Sequence, residues 1–190
     1  MNSLNTDYRA FFLMSIPRSM HREAGPKTAS FFVITVSTSR FNAKVSGQPY
    51  TDESGDLAES MLRQAGHRVV GRELIKDDLV MIRSLVDSLL LRDDVDVIVL
   101  TGGTGLARSD VTIEAIRPLF EKELEGFGEL FRQVSYQKIG TGVIMTRATA
   151  GGVARGGKLI VALPGSPDGV KTGLEIILQE LPHILYIIRS

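Results

Sequence analysis

Short apolar runs alternate with amphipathic stretches along most of the chain, and this alternation predicts strands and helices in turn. Four runs are expected to be strands, at residues 30–37, 67–75, 96–100 and 158–163. The first, third and fourth are almost wholly apolar, which is typical of parallel strands covered on both faces of a sheet.

Apolar residues recur at helical spacing between these runs. The predicted helices are residues 56–65, a helix opened by Asp78, and residues 111–120, 129–136 and 168–181. Gly66 is expected to end the first helix as its C′ residue. The polar stretch 38–52 is predicted to be a loop, and residues 126–128 are predicted to interrupt a helix. Residues 140–157, rich in Gly, Ala and Thr, suggest short irregular pieces or a hairpin.

Strands and helices alternate without an internal repeat or a low-complexity linker. This order predicts a single α/β domain of three layers, α/β/α, with a mainly parallel central sheet. We expect the domain to comprise residues 30–190 and to follow an N-terminal extension, residues 1–29. The extension contains an apolar run at residues 11–16, which is too short for a membrane span. A disordered tail and an arm that packs on a neighbouring subunit are both open interpretations of it.

Composition narrows the classes of function. The 190 residues are 43% hydrophobic and 23% charged, as in a soluble globular protein. The absence of cysteine excludes disulfides and thiolate metal sites, and the three histidines, His21, His67 and His183, lack metal-ligand spacing. A formal net charge of zero without a basic tract argues against nucleic acid and an anionic membrane as partners. We expect a cytoplasmic protein.

The third predicted strand runs directly into Thr101-Gly102-Gly103-Thr104-Gly105, here called the glycine loop. Glycines let backbone N–H groups approach an anion closely, and the threonine hydroxyls add neutral donors. Asp110 follows and could reach a metal ion or a proton. The same pattern also fits an ordinary turn into a helix near Val111, with Asp110 as the N-cap. Both interpretations stay open on the local pattern.

Three strand ends are expected to meet at one edge of the sheet, because the carboxyl ends of parallel strands lie together. They are residues 75–78, residues 101–110, and the turn at residues 164–168. Together they gather Asp77 and Asp110 above two glycine-bearing turns. Two carboxylates beside a polyphosphate can hold Mg²⁺. Asp77 and Asp78 also suit a helix N-cap pair, and Asp78 is the closer of the two to the helix.

Two familiar nucleotide-binding motifs fail in this chain. Residues 152–159 nearly match a Walker A loop, but Leu159 replaces the required hydroxyl and a strand, not a helix, follows. A Rossmann fingerprint fails because Arg108 stands where the third glycine is needed.

Residues 31–181 resemble the molybdopterin adenylyltransferase family, the MogA/MoaB group of molybdenum- and tungsten-cofactor biosynthesis. Three segments carry the resemblance: the glycine loop with Asp110-Val111-Thr112, the segment Gly126-Phe127-Gly128-Glu129, and Leu163-Pro164-Gly165-Ser166-Pro167. The turn at residues 52–55 and the strand end at residues 35–37 are also similar to the family's first motifs. The family's parallel-rich α/β fold agrees with the fold that the pattern predicts.

The resemblance implies a reaction in which the terminal phosphate of molybdopterin attacks the α-phosphate of MgATP, giving adenylylated molybdopterin and pyrophosphate. Asp77 and Asp110 match the family's two catalytic aspartates and are the expected Mg²⁺ ligands. The resemblance and the loop positions imply these substrate-binding residues: Ser37, Ser54, Gly55, Thr101, Gly102, Gly103, Thr104, Gly105, Glu114, Thr146, Arg147, Pro164, Gly165, Ser166 and Pro167. Family members form trimers or hexamers, so a homo-oligomer is expected, and contact with other enzymes of the pathway is possible.

Several positions depart from the family pattern. Lys76 and Ile113 replace frequent prolines, Thr146 replaces a serine but keeps the hydroxyl, and Ser37-Thr38 lacks an acidic residue often found there. These departures resemble the MoaB branch, some members of which are not established as adenylyltransferases. The alternative hypothesis is therefore a non-catalytic molybdopterin-binding module or scaffold of the same pathway. The presence of both aspartates favours the enzyme.

Overall fold

The computed structural model describes residues 23–154 and 156–190. The strands in these ranges are β1 (Ser30–Val36), β2 (Arg68–Ile75), β3 (Val97–Thr101), β4 (Lys122–Glu123), β5 (Thr149–Val153) and β6 (Lys158–Leu163). The helices are α1 (Thr38–Val45), α2 (Glu53–Gln64), α3 (Leu79–Leu90), α4 (Thr112–Ile116), α5 (Glu125–Ile139) and α6 (Pro167–Ile188). Two 3₁₀ segments, Arg117–Leu119 and Gly140–Met145, follow α4 and α5.

One sheet organises the described part of the chain, with the strand order β2-β1-β3-β6-β5-β4. β2, β1, β3 and β6 are parallel, whereas β5 and β4 add an antiparallel edge. The register pairs Thr35 with Thr101 and Thr101 with Leu163. The three central strands therefore end level with one another, so that their following loops start from one edge.

Alternate residues of the central strands point to two separate apolar cores. Phe31 and Val33 of β1 pack with α2, α5 and α6 on one face of the sheet. Phe32 and Ile34 pack with α3 and α4 on the other face. The predicted three-layer α/β arrangement with a mainly parallel sheet is confirmed, and all four predicted strands are present.

The prediction of a loop over residues 38–52 was wrong in its first half, because α1 occupies Thr38–Val45. The Ser37 hydroxyl caps this helix and accepts a hydrogen bond from the Arg40 N–H at 3.5 Å. None of the residues in α1 is buried. Phe41 and Val45 are its two large apolar side chains and neither is buried, so the apolar pattern was too weak to reveal the helix.

The predicted interruption at residues 126–128 was also wrong, because these residues form the first turn of α5. Phe127 and Gly128 are buried there, and a Cβ on Gly128 would lie only 2.9 Å from the Ala148 carbonyl oxygen. The glycine therefore permits close helix-to-strand packing.

The last helix is longer than predicted, whereas residues 140–157 contain the short irregular pieces and the hairpin that the sequence suggested. α6 continues through Pro182 to Ile188, beyond the predicted end at Leu181. Residues 140–157 contain both an irregular 3₁₀ segment and the β5 arm of a hairpin with β6.

The predicted N-terminal extension is described only from residue 23 onward, so its apolar run at residues 11–16 lies outside the described residues. Gly25 packs so closely on α6 that a Cβ would overlap the Pro182 backbone. Ala29 belongs to the core beside β1. Among the described helices, none combines the length and the apolar character needed to cross a membrane.

Candidate active site

A cavity of about 720 Å³ opens at the carboxyl edge of the sheet. Five segments line it: residues 36–40, Asp77, residues 102–105 with 109–110, residues 145–147, and residues 164–166. These segments follow β1, β2, β3 and β6 or precede β5. The three strand ends expected to meet therefore do share one cleft.

Packing within the protein explains the two glycines at the centre of the glycine loop. Gly102 and Gly103 have φ angles of +99° and +62°, which side chains rarely adopt. A Cβ on Gly102 would overlap the Val36 carbonyl, and one on Gly103 would lie 2.6 Å from the Asp77 carboxylate. A side chain at either position would therefore meet the protein's own atoms.

Buried hydroxyl groups hold the glycine loop and the turn at residues 164–167, here called the second turn. Thr101 Oγ1 donates to the Pro164 carbonyl at 3.0 Å, and Ser54 Oγ donates to the Gly165 carbonyl at 2.7 Å. Thr112 Oγ1 donates to the Gly102 carbonyl at 2.8 Å. The first bond ties the two turns to each other, and the other two tie them to α2 and α4, so that buried carbonyls of both turns have hydrogen-bond partners.

The two aspartates accept backbone hydrogen bonds from different segments. Asp77 Oδ1 accepts from the Val111 N–H at 3.1 Å, and Asp110 Oδ2 accepts from the Ala107 N–H at 2.8 Å. Asp110 does not cap α4, whose N-cap residue Val111 has no side-chain hydrogen bond. Asp77, which follows β2, instead accepts from the N–H at the start of that helix. Asp78 caps α3, as expected, by accepting from the Met81 N–H at 2.8 Å.

The electrostatic environment of Asp77 suits a cation. Burial raises the pKa of this carboxyl, the Val111 N–H opposes that effect, and the negative charges of Asp110 and Glu114 raise the pKa further. The net pKa lies above its ordinary value. A positive ion beside Asp77 and Asp110 would relieve this repulsion between like charges.

The donor set fits Mg²⁺ that arrives with a phosphate ligand. Within the described residues no group of three or more His, Cys, Asp or Glu side chains is arranged to hold a metal. Mg²⁺ commonly takes one or two carboxylates and completes its shell with water and substrate phosphate oxygens. Asp77 and Asp110 are therefore compatible with an ion that the substrate brings with it.

Arg147 holds the glycine loop through a hydrogen bond to its backbone. Its Nε donates to the Thr104 carbonyl at 2.8 Å, and its two terminal nitrogens lie 2.6 and 3.3 Å from the Glu114 carboxylate. The hydrogen bond from Arg147 helps to hold the pKa of Glu114 below its ordinary value. Arg147 lines the cleft, whereas Glu114 acts through Arg147.

Most of the predicted substrate-binding residues line the cleft: Ser37, Gly102, Gly103, Thr104, Gly105, Thr146, Arg147, Pro164, Gly165 and Ser166. The remaining five lie outside its lining: Ser54, Gly55, Thr101, Glu114 and Pro167. Ser54, Thr101 and Glu114 hold lining segments in place through the bonds given above. Gly55 lies against Asp52 and Arg72, and Pro167 is the first residue of α6.

Sequence reasoning missed three consecutive lining residues, Thr38, Ser39 and Arg40. They belong to the first turn of α1, which was predicted to be loop. The capping residue Ser37 was the one local signal for this helix, because serine favours the N-cap position. Ser109 and Met145 were missed as well.

The lysine of the failed Walker A match, Lys158, has a structural role. Lys158 is buried and its Nζ donates to the carbonyls of Arg92 and Val95, at 2.6 and 2.5 Å. Burial holds its pKa below the ordinary value. An ammonium group already bonded to two carbonyls is unavailable to a phosphate in the cleft, so the rejection of a P-loop is confirmed.

Residues 32–183 match a family model described as "Probable molybdopterin binding domain". The chain belongs to this family. A relative named molybdopterin adenylyltransferase, from Pyrococcus furiosus, is 45% identical over 168 residues, which cover 87% of this chain and 94% of that protein. Molybdenum cofactor biosynthesis protein B from Bacillus cereus is 39% identical over 168 residues, with the same two coverages.

A solved structure of a related protein has the same fold. The crystal structure of the tungsten cofactor synthesizing protein MoaB from Pyrococcus furiosus superimposes with a TM-score of 0.76 at 42% identity. That superposition covers 87% of this chain and 99% of the other. The family resemblance predicted from the sequence is confirmed.

Proposed function

We propose that the protein is a molybdopterin adenylyltransferase. The terminal phosphate oxygen of molybdopterin attacks the α-phosphorus of ATP, and a new P–O bond forms there. The bond from the α-phosphorus to the oxygen bridging to the β-phosphate breaks, and pyrophosphate leaves with the electron pair. One observation carries the proposal: Asp77 and Asp110 line the same 720 Å³ cleft as the glycine loop. The names of relatives as molybdopterin adenylyltransferases support it.

We assign a separate role in this reaction to each segment of the cleft. Asp77 and Asp110 would hold Mg²⁺ that enters with ATP, and the ion would neutralise phosphate charge. Backbone N–H groups of the glycine loop bind phosphate oxygens. The second turn leads into the N-terminus of the 22-residue helix α6, where the helix dipole favours an anion. Arg147 keeps the glycine loop in position through Thr104.

One observation favours the alternative, a non-catalytic molybdopterin-binding module. Each aspartate already accepts a backbone hydrogen bond, Asp77 from Val111 and Asp110 from Ala107. With these structural roles, both aspartates would be needed even in a protein that binds the pterin without catalysing a reaction. The enzyme is the stronger hypothesis, because both carboxylates line the cleft beside the glycine loop, a placement that a purely structural role does not require.

A direct assay separates the two functions. The protein is incubated with molybdopterin, ATP and Mg²⁺, and adenylylated molybdopterin and pyrophosphate are measured over time. We expect both products in equal amounts. Binding of molybdopterin without either product would support the module. Contacts with other enzymes of the pathway and a cytoplasmic location stay predictions from the sequence.

A further inference from the structure

Arg40 is a cation of the cleft that has no counter-ion. It is partly exposed, lies in the first turn of α1, and lines the cavity. Across the described residues, neither an ion pair nor a side-chain hydrogen bond engages its guanidinium group. An uncompensated arginine facing a cleft is a ready partner for an anion, because its planar fork can donate two parallel hydrogen bonds.

The other charged side chains of the cleft lining are already engaged. Arg147 is paired with Glu114 and bonded to the Thr104 carbonyl. Asp77 and Asp110 are negative and repel a phosphate unless a cation lies between them and it. Arg40 is thus the lining residue that supplies a free positive charge.

The cleft has two ends that differ in charge. α1 packs against the edge strand β2, whereas α6 packs against β6 on the other side of the glycine loop. The α1 end offers the full charge of Arg40, and the α6 end offers a helix dipole with about half a charge. In a phosphoryl-type displacement the attacking and leaving oxygens lie roughly in line, on opposite sides of the phosphorus.

We infer that Arg40 binds the β- and γ-phosphates of ATP and stabilises pyrophosphate as it leaves. This inference rests on the proposed adenylyl transfer. Pyrophosphate carries more negative charge than the attacking phosphate of the pterin, so it is matched to the end of the cleft with the full cation. As the bond to the bridging oxygen breaks, negative charge accumulates on the leaving group, and Arg40 stabilises that charge.

Calorimetric titration of the wild-type protein and an Arg40→Ala variant tests this role, with Mg²⁺ present. Inorganic pyrophosphate, ATP, AMP and molybdopterin are the four probes. We expect Arg40→Ala to weaken the binding of pyrophosphate and ATP by about tenfold or more, since a charge-assisted contact is lost. Binding of AMP and molybdopterin should change by less than about twofold.

Lys44→Ala is the matched control, because it removes a positive charge from the same helix at a position outside the cleft lining. Lys44 pairs with Glu73 on the surface, and such exposed pairs contribute little to stability. We expect the control to bind all four probes like the wild type. Arg40→Lys keeps the charge without the fork and should recover part of the lost affinity for pyrophosphate. Thermal unfolding confirms that each variant is folded.

Three results would overturn the inference. They are wild-type pyrophosphate affinity in Arg40→Ala, a loss for AMP or molybdopterin as large as that for pyrophosphate, and no measurable pyrophosphate binding by the wild-type protein. The proposed function fails separately, if the wild-type protein binds its substrates but makes no adenylylated product.

Discussion

Asp77 shows how one side chain joins structure and chemistry at the residue scale. Its carboxylate receives the N–H at the start of α4, lines the cleft, and lies where a Cβ on Gly103 would come. Its raised pKa has burial as the first cause and the charge of Asp110 as a further one. A substitution at Gly103 should therefore change the position of the Asp77 carboxylate, and a substitution at Asp110 should change its pKa.

Replacing Asp110 by Asn should remove most of the turnover and leave the fold intact. The amide preserves the acceptor oxygen for the Ala107 N–H but loses the charge needed to hold Mg²⁺. We expect kcat for pyrophosphate release to fall by on the order of 10²–10³, the usual cost of one electrostatic contact to a reacting group. Molybdopterin binding should be retained.

Asp87→Asn serves as the control for this prediction, since Asp87 is exposed on α3 and lies outside the cleft lining. Its kcat should equal that of the wild-type protein. If Asp110→Asn kept wild-type turnover, Asp110 would have no part in the mechanism.

Gly103→Ala and Gly47→Ala form a matched pair that separates backbone strain from crowding. Both glycines have positive φ angles, +62° and +67°, but a Cβ on Gly47 would meet nothing within 4 Å. Gly47→Ala should cost about 1–2 kcal/mol, the price of a left-handed alanine, without affecting activity. Gly103→Ala should cost more and also abolish turnover, because its Cβ would displace the Asp77 carboxylate.

Urea unfolding and the product assay measure both effects. Equal losses of unfolding free energy in the two variants would show that the atoms around Gly103 move aside at little cost in stability. Wild-type activity in a folded Gly103→Ala would mean that the position of Asp77 is unimportant.

At the scale of elements, packing decided which predictions were right. Strands β1, β3 and β6 are buried on both faces, so their apolar runs were visible in the sequence. α1 contains no buried residue and was hidden for that reason. β4 has only two residues and is defined by its pairing with β5. An element of that length has no pattern of its own.

The junction that starts β1 and β2 predicts a pH dependence of stability. His67 Nδ1 accepts a hydrogen bond from the Ala29 N–H at 3.2 Å, so this nitrogen must be unprotonated. Burial lowers the pKa of His67 from 6.5 in the folded protein. The unfolded chain therefore binds the proton first on acidification. The stabilising contribution is complete above pH 6.5 and is lost as the pH falls through the lower folded pKa.

Thermal unfolding of wild type and His67→Asn between about pH 7.5 and 5.5 checks this. Asparagine retains an acceptor oxygen but does not titrate in this range. The wild-type protein should lose about 1 kcal/mol more than the variant on acidification, as for one hydrogen bond, or roughly 2–4 °C in Tm. An equal loss in both proteins would remove His67 as the cause.

At the scale of the whole molecule, assembly is the open prediction. The resemblance to the molybdopterin adenylyltransferase family predicts a trimer or a hexamer. Light scattering should then give a solution mass of three or six times the 20.8 kDa of one chain. A mass that stays at one chain over the range of measurable concentrations would contradict the prediction.

The sequence by itself determined the alternation of strands and helices, the parallel sheet, and the loops that meet at its edge. These follow from local features, namely apolar periodicity and the positions of glycine and aspartate, which each segment carries independently of the rest. It also determined the family, because the motifs at residues 101–112 and 163–167 are contiguous in the chain.

Only the tertiary structure decided which of those residues reach the cleft. Ser54 and Thr101 were predicted to bind substrate, but their hydroxyls bond to the carbonyls of Gly165 and Pro164. Arg40 was not predicted, yet it lines the cavity. The direction of a side chain depends on which distant backbone groups need a partner, and that is set by contacts between segments more than sixty residues apart.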